Sequence, residues 1–482
     1  MLGVPNSLSD RHAAGVLLAL ATILGVAAGR ALGDANPTNF ILIMTDDQGY
    51  ADLGCFGAQG FQTPSIDGMA GQGLRLTSYY SGSSVCSPTR ASLMTGCYAS
   101  RVGCATGVFW PNSRDGLSGD EVTIAELLKK QGYATACIGK WHLGHLEPFR
   151  PTSQGFDSYF GIPYSNDMGR LDPFGNIAEN RPPRFRGDGV ELWRDAEAIE
   201  ESPDQSLLTK RYTEEAVRFI DANADRPFFL YLAHAMPHLP LFASEAFEGR
   251  TGYGLYGDVI EEIDWSVGQI LAALDRHELA ERTLVVFMSD NGPHQYRDGR
   301  NAGSARPLRS GKGTTWEGGQ RVPCVVRWPA VVPPGTSTDE VTSSIDWLPT
   351  IAAAAGAELP SDRVIDGRDL RPLLKDPAAD HADVPFYFVS GHGGDERGLV
   401  DAVRLGRWKL HVRKRDGFDS WDRAANGPFR PALYDLDSDI GETTNLISQQ
   451  PTVTSMLTAL IRGAQADFRL NGRPRGRVPD RH

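Results

Sequence analysis

Four short apolar runs stand out along the chain, and each stops at a cluster of polar residues. Phe40-Ile41-Leu42-Ile43-Met44 runs into Thr45-Asp46-Asp47, and Ala134-Thr135-Ala136-Cys137-Ile138-Gly139 into Lys140-Trp141-His142. Pro227-Phe228-Phe229-Leu230-Tyr231-Leu232-Ala233 runs into His234 and Pro237-His238, and Leu284-Val285-Val286-Phe287-Met288 into Ser289-Asp290-Asn291-Gly292. Continuous apolar runs of this length, without alternation, fit strands covered on both faces, as in a parallel sheet. Helical spacing fills the intervals: Ile124, Leu127 and Leu128 in 123–130; Leu208, Tyr212, Ala216 and Ile220 in 205–220; Val259, Ile263, Val267, Ile270, Leu271 and Leu274 in 258–279; Ile345, Leu348 and Ile351 in 343–356. Strands alternating with helices predict an α/β fold built on a large, mainly parallel sheet flanked by helices. Ligands of such sheets gather outside the carboxyl ends of the strands. All four polar clusters fall at those ends.

After about residue 377 the texture changes. Pro385-Phe386-Tyr387-Phe388-Val389, Leu399-Val400-Asp401-Ala402-Val403-Arg404 and Arg407-Trp408-Lys409-Leu410-His411-Val412 read as short strands, with Leu405-Gly406 as a turn between the last two. A helix follows over 452–468, and the Arg-, Pro- and Gly-rich tail 473–482 is expected to fray. The predicted organisation is a large domain over 36–376 and a smaller C-terminal α+β subdomain over 377–482 carrying a short antiparallel sheet. A length of 482 residues accommodates both. At the N-terminus, Arg11 and His12 precede the apolar stretch 13–28, with small residues at Ala28, Ala31 and Ala35 as cleavage points. That reads as an export signal over 1–35. The stretch is shorter than the ~20 residues of a spanning helix, which favours a cleaved signal over a stable membrane anchor. The expected destination is periplasmic, secreted or a lysosome-like compartment.

A net charge of −12 argues against a nucleic-acid partner, which needs a basic surface. It leaves room for an anionic substrate in a locally basic pocket. The six cysteines are Cys55, Cys86, Cys97, Cys104, Cys137 and Cys324. No CxxC pair exists, which speaks against structural zinc; Cys97 and Cys104 could pair in an oxidising compartment, and spacing does not decide it. Asp120-Glu121, Glu261-Glu262 and Arg413-Lys414-Arg415 read as solvated charges.

The decisive chemistry lies in Val85-Cys86-Ser87-Pro88-Thr89-Arg90-Ala91-Ser92-Leu93-Met94-Thr95-Gly96. Pro88 suits a first helical turn and Gly96 a helix end, so Cys86 stands at a helix mouth. Unpaired N–H groups and the helix dipole favour an anion there. Arg90, one turn on, offers a fork matched to tetrahedral oxyanions. Asp46-Asp47 and Asp290-Asn291 together make an oxygen-rich site for a hard divalent cation. Either pair alone is more often turn chemistry; two pairs, each after a buried strand and beside the cysteine run, reverse that balance in favour of a cation.

This run resembles the sulfatase signature Cys-x-Pro-x-Arg followed by Thr-Gly. The resemblance extends through Asp46-Asp47-Gln48-Gly49, Gly139-Lys140-Trp141-His142-Leu143-Gly144, Gly161-Ile162-Pro163-Tyr164-Ser165-Asn166-Asp167, Pro237-His238-Leu239-Pro240, Ser289-Asp290-Asn291-Gly292 and Gly311-Lys312-Gly313-Thr314-Thr315-Trp316-Glu317-Gly318-Gly319. It continues into Leu433-Tyr434-Asp435-Leu436, Glu442 and Asn445-Leu446, and so covers roughly residues 37 to 450. Within the family it looks most like the arylsulfatase A and N-acetylgalactosamine-6-sulfatase branches, Ser165 being one reason. The resemblance implies an alkaline-phosphatase-like catalytic domain over 36–376 and sulfate-ester hydrolysis, with sulfated sugar or polysaccharide as substrate. It implies that a maturation enzyme converts Cys86 to formylglycine. The implied metal ligands are Asp46, Asp47, the modified Cys86, Asp290 and Asn291, for Ca2+ in the usual case, with Mg2+ possible. Arg90 and Lys140 would orient the formylglycine hydrate, and His142 would take a proton as the sulfated intermediate breaks down. His238 and Lys312 would hold sulfate oxygens, one of them protonating the leaving alcohol, and Ser165 would add a hydrogen bond.

His234 lies four residues before the family histidine, so the role falls to His238; His145 and His294 read as structural or surface histidines. Gly311-Lys312-Gly313-Thr314 fails as a phosphate loop, since the first glycine of that motif is missing. Substrate walls are expected from 167–186, 294–309 and 392–397. Two other activities fit part of this pattern: a phosphodiesterase or phosphonate monoester hydrolase on the same scaffold, and an inactive sulfated-glycan-binding protein.

Overall fold

The computed structural model describes residues 1, 37–169, 190–294, 302–389, 399–413 and 430–479. The expected signal over 2–35, the wall segment 392–397 and parts of the other two wall segments lie outside these. Residues from Thr38 onward belong to one compact unit. At its centre is β1 (Asn39–Thr45), buried along its whole length. Its side chains alternate between two cores. Phe40, Leu42 and Met44 pack with Leu93, Leu127 and Trp347, while Ile41 and Ile43 pack with Ile66, Tyr212 and Ile263. Both faces are therefore apolar, which is why the run shows no alternation. Each such side chain is worth roughly 1.5–3 kcal/mol on burial.

The large sheet is completed by β2 (Leu74–Leu76), β3 (Ala134–Gly139), β4 (Ser158–Gly161), β5 (Glu191–Arg194), β6 (Glu197–Glu201), β7 (Phe228–Ala233), β8 (Thr283–Ser289), β9 (Cys324–Arg327) and β10 (Thr336–Thr338). Among the described residues its order is β10-β2-β9-β8-β1-β7-β3-β4-β5-β6. The middle five strands, β8, β1, β7, β3 and β4, are parallel. The flanks turn the sheet mixed: β9 runs antiparallel to β8 and to β2, and β5 antiparallel to β4 and to β6. Register aligns the four central ends, with Thr45 opposite Ser289, Met44 opposite Ala233, and Gly139 opposite Ala233. The four polar clusters therefore leave the sheet side by side.

Helices α1 (Pro64–Gly71), α2 (Cys86–Thr95), α3 (Ile124–Lys130), α4 (Leu208–Ala222), α5 (Leu255–Arg276) and α6 (Trp347–Ala355) cover the two faces. α3 starts in a full capping box of Thr123 with Glu126. Beyond residue 377, β11 (Phe386–Phe388), β12 (Ala402–Leu405), β13 (Trp408–His411) and β14 (Ala432–Asp435) form an antiparallel sheet, and α7 (Pro451–Leu470) packs on it. Its fourth strand was not foreseen.

Two expectations are corrected, and the open question of Cys97 and Cys104 is answered. The tail does not fray up to residue 479: Gly476–Arg477 pairs antiparallel with Asp115–Gly116, and Arg473 clasps Glu121 at 2.7 and 2.8 Å. Glu121 is thus buried rather than solvated, as is Glu262, which accepts the Ser244 amide at 2.9 Å. Cys97 and Cys104 are free thiols, each bonded to backbone carbonyls.

Candidate active site

The aligned strand ends deliver Asp46 and Asp47 from β1, Lys140 and His142 from β3, and Asp290 and Asn291 from β8; His238 follows the turn after β7. α2 enters from the side, with Cys86 as its first residue. Val85 before it is extended and supplies no side-chain cap, so the first-turn N–H groups face the site uncapped by a side chain. Gly96 ends the helix in the left-handed region (φ 66°). Gly139 also has positive φ (106°), and a Cβ there would collide with the Ala233 carbonyl. Glycine lets β3 and β7 approach closely where Lys140 departs.

Three buried cations meet three buried carboxylates. Arg90 donates from Nη2 and Nε to Asp290 Oδ2 at 2.8 and 3.2 Å, and from Nη1 to the Lys140 carbonyl at 2.6 Å. Lys140 Nζ pairs with Asp46 Oδ2 and donates to Ser165 Oγ at 3.0 Å. Lys312 Nζ reaches both Asp47 oxygens at 2.6 and 2.7 Å and lies 3.7 Å from Cys86 Sγ. His238 Nε2 stands 3.6 Å from Asp47 Oδ2 and 3.5 Å from Ser165 Oγ. Asp47, in the left-handed region (φ 67°), accepts from Asn291 Nδ2 at 2.7 Å and donates its amide to Asp290 Oδ1 at 3.2 Å. Ligand atoms of Asp46, Asp47, Cys86 and His238 all lie within 4.8 Å of one another; Asp290 stands outside that quartet, held by Arg90. Two buried acceptors, Asp46 Oδ1 and Asn291 Oδ1, have no hydrogen-bond partner.

This charge density governs protonation. Burial alone would raise Asp46, yet Lys140, His238, Arg90 and Lys312 hold it well below the usual carboxylate range. Asp47 is lowered too, burial being outweighed by Lys312 and His238. Asp290 goes up, to about 7, through burial and the neighbouring Asp46; a bound cation acts against such a rise. Burial, then Lys140 and Arg90, push His142 well below its ordinary value, leaving a neutral imidazole. Its Nε2 bonds the Phe109 carbonyl at 3.1 Å and its buried Nδ1 has no hydrogen-bond partner. Burial, then Asp46, raise the Cys86 thiol far above neutrality. As a protonated thiol it is a poor nucleophile.

All the residues singled out in the sequence converge in this one site. Sequence reasoning missed Tyr231, whose hydroxyl accepts from Arg90 Nη1 at 3.4 Å. It sits inside an apolar strand run and carries no pattern of its own. His234 lies apart, its Nε2 3.3 Å from Ser266 Oγ, and His145 packs edge-on to Tyr164.

Known proteins resemble this chain in sequence and fold. The sulfatase family model matches residues 38–357, and the model of the N-sulphoglucosamine sulphohydrolase C-terminal region matches 311–466. Arylsulfatase A of Homo sapiens is 41% identical over 449 residues, covering 88% of this chain and 86% of its own. N-acetylgalactosamine-6-sulfatase of Canis lupus familiaris is 37% identical over 402 residues, covering 81% and 75%. The crystal structure of Ps i-CgsB in complex with k-i-k-neocarrahexaose superposes with a TM-score of 0.76 at 28% identity, covering 91% of this chain and 94% of that one. The chain belongs to the sulfatase family of sulfuric ester hydrolases.

Proposed function

We propose that this sulfatase hydrolyses sulfate esters of carbohydrate with a formylglycine formed from Cys86 and a divalent cation, Ca2+ in the first instance. The observation that carries this reading is the meeting, at four adjacent strand ends, of Asp46, Asp47, Asp290 and Asn291 with the helix-mouth Cys86 and the cations Arg90, Lys140 and Lys312. The unpartnered Asp46 Oδ1 and Asn291 Oδ1 fit a hard cation, which takes oxygen ligands. Asp46, Asp47, residue 86, Asp290 and Asn291 would hold it, and when bound it would neutralise charge on the sulfate oxygens.

A buried, protonated thiol is poorly suited to direct attack. Once hydrated by one water, a formylglycine at residue 86 would supply one hydroxyl to attack sulfur, displacing the substrate alcohol, and a second whose deprotonation would expel sulfate and restore the aldehyde. The chain's own side chains serve the charge that develops. Arg90 and Lys140 orient residue 86. Lys312 and His238 hold sulfate oxygens, and one of them protonates the leaving alcohol. His142, neutral and with Nδ1 unpaired, accepts a proton. Ser165 fixes Lys140 and His238 relative to each other.

The division we favour is an export signal over 1–35, a catalytic domain over 36–376 and a C-terminal subdomain over 377–482. The four-stranded sheet, lying wholly after 377, supports the second boundary. Among the described residues no helix is long and apolar enough to cross a membrane. Sulfated carbohydrate is the substrate class we favour, from the likeness to N-acetylgalactosamine-6-sulfatase and to Ps i-CgsB in complex with k-i-k-neocarrahexaose.

The test is mass spectrometry of residue 86 in protein made with its maturation enzyme, alongside sulfate release from nitrophenyl sulfate and sulfated oligosaccharides. We expect formylglycine at 86, sulfate release, loss of both in Cys86→Ala, and loss of turnover on chelation reversed by Ca2+. Retained turnover in Cys86→Ala, or faster cleavage of a nitrophenyl phosphodiester than of the sulfate, would overturn the reading.

A further inference from the structure

A second cluster of charges lies sealed in the protein where the C-terminal sheet meets the 311–319 turn. Glu317, Lys409 and Glu442 are fully buried and His411 nearly so. Lys409 Nζ bridges Glu317 Oε1 at 2.8 Å and Glu442 Oε1 at 3.0 Å. His411 Nε2 lies 3.0 Å from Glu442 Oε1. The other Glu442 oxygen accepts the backbone amide of Glu317 at 2.7 Å. Glu317 Oε2 accepts from Tyr80 at 2.5 Å and from Arg321 at 3.3 Å, and Trp316 packs on the His411 ring with centroids 4.4 Å apart.

Burying so much charge gives little net stability, because desolvation consumes most of the Coulombic gain. What it does supply is fixed geometry, and the segment so fixed carries site residues. Lys312 begins this turn; its amide bonds the Pro293 carbonyl at 3.0 Å, and Gly313 bonds Ser84 at 2.9 Å. Gly292, next to Asn291, donates to Gly319 at 3.0 Å, and Ser81 donates to Gln320 at 2.8 Å. One short stretch therefore touches the segment before Cys86, the segment after Asn291 and the C-terminal sheet. The C-terminal family model begins at residue 311, so it takes in the turn together with the strands that clamp it.

We propose that Glu317, Lys409, His411 and Glu442 form a positioning device through which the C-terminal sheet sets Lys312 and Asn291 in the active site. None of the four touches substrate. The proposal rests on the role given to Lys312 above. Small misplacement of a catalytic group costs large factors in rate, so damage to the clamp should be read in turnover rather than in binding.

The test uses full-length matured enzyme, with kcat expressed per formylglycine and measured over aryl sulfates of graded leaving-group acidity. Glu442→Ala should lower kcat by about tenfold or more with KM within twofold. Its dependence on leaving-group acidity should shift in the direction seen for Lys312→Ala. Glu442→Gln, which can still accept from the Glu317 amide, should recover most of the loss. Trp316→Leu keeps every charge and loosens the stack on His411, along with the contacts of Trp316 to Arg309 and Tyr434. It should give a partial version of the same shift, and it serves as the readout if Glu442→Ala fails to fold. Wild-type kcat and leaving-group dependence in folded Glu442→Ala or Trp316→Leu would overturn the proposal. An unchanged kcat in Lys312→Ala would instead bring down the active-site reading, and the proposal with it.

Discussion

Lys312 shows how much one side chain carries in this site. Its Nζ contacts both oxygens of Asp47 and approaches Cys86 Sγ, and burial does not stop its neighbours Asp47 and Cys86 from raising its pKa. On the proposed reading, it stays cationic where the sulfate charge would accumulate. Removing one such preorganised donor costs roughly 10²–10³ in kcat, and Lys312→Ala should lose that much at unchanged formylglycine content, as measured by sulfate release. A loss below fivefold would remove Lys312 from the chemistry. Arg90→Lys should also be severe, because a lysine cannot bond Asp290 through two nitrogens while still reaching the Lys140 carbonyl. Arg90 was legible from its place one turn after the helix-mouth Cys86, and Lys312 only through the resemblance of 311–319 to a sulfatase motif. Tyr231 was not, since a hydroxyl within Phe228–Ala233 changes nothing in the run's hydrophobic texture.

At the scale of elements, the long buried strands and most of the amphipathic helices could be read from periodicity. The strands that were missed are β2, β4, β5, β6, β9, β10 and β14, of three to five residues each. Segments so short pair because neighbours offer an open edge, a tertiary fact with no local signature. Two substitutions separate structural from functional elements. Thr123→Ala breaks the capping box of α3 and should cost about 1 kcal/mol, seen as a small drop in Tm with kcat unchanged, because α3 carries no site residue. Gly139→Ala forces a side chain into positive φ and against the Ala233 carbonyl. The ends of β3 and β7 must part, moving Lys140. Activity should fall by at least tenfold in protein that still folds, as judged by circular dichroism. Equal effects of the two variants on kcat would contradict the claim that strand-end alignment builds the site.

Across the whole molecule, buried titratable groups outside the site tie stability to pH in opposite senses. Burial lowers His234 to about 4, and burial with Arg150 lowers His145 to about 4. Burial raises Asp52 and Asp346 to about 6 each, despite the hydrogen bonds each accepts. A histidine whose folded pKa is depressed contributes stability above its unfolded value near 6.5, and that contribution fades as pH falls towards 4. A carboxyl whose folded pKa is raised works the other way: the fold loses stability as pH climbs from about 4 to about 6. The wild-type profile sums these opposing slopes, so a single group is best isolated by difference. His234 suits this, since its Nε2 has one side-chain neighbour, Ser266, and its Nδ1 is buried without a hydrogen bond. Protonating it in the fold would strand a charge, worth about 3 kcal/mol at most across that window. His234→Gln cannot titrate. The Tm advantage of wild type over His234→Gln should therefore be larger at pH 7.5 than at pH 5, by differential scanning calorimetry at fixed ionic strength and fixed Ca2+. A gap that stays constant between those values would mean that His234 is already charged in the fold or that water reaches it, and the sealed core drawn behind β7 would be wrong.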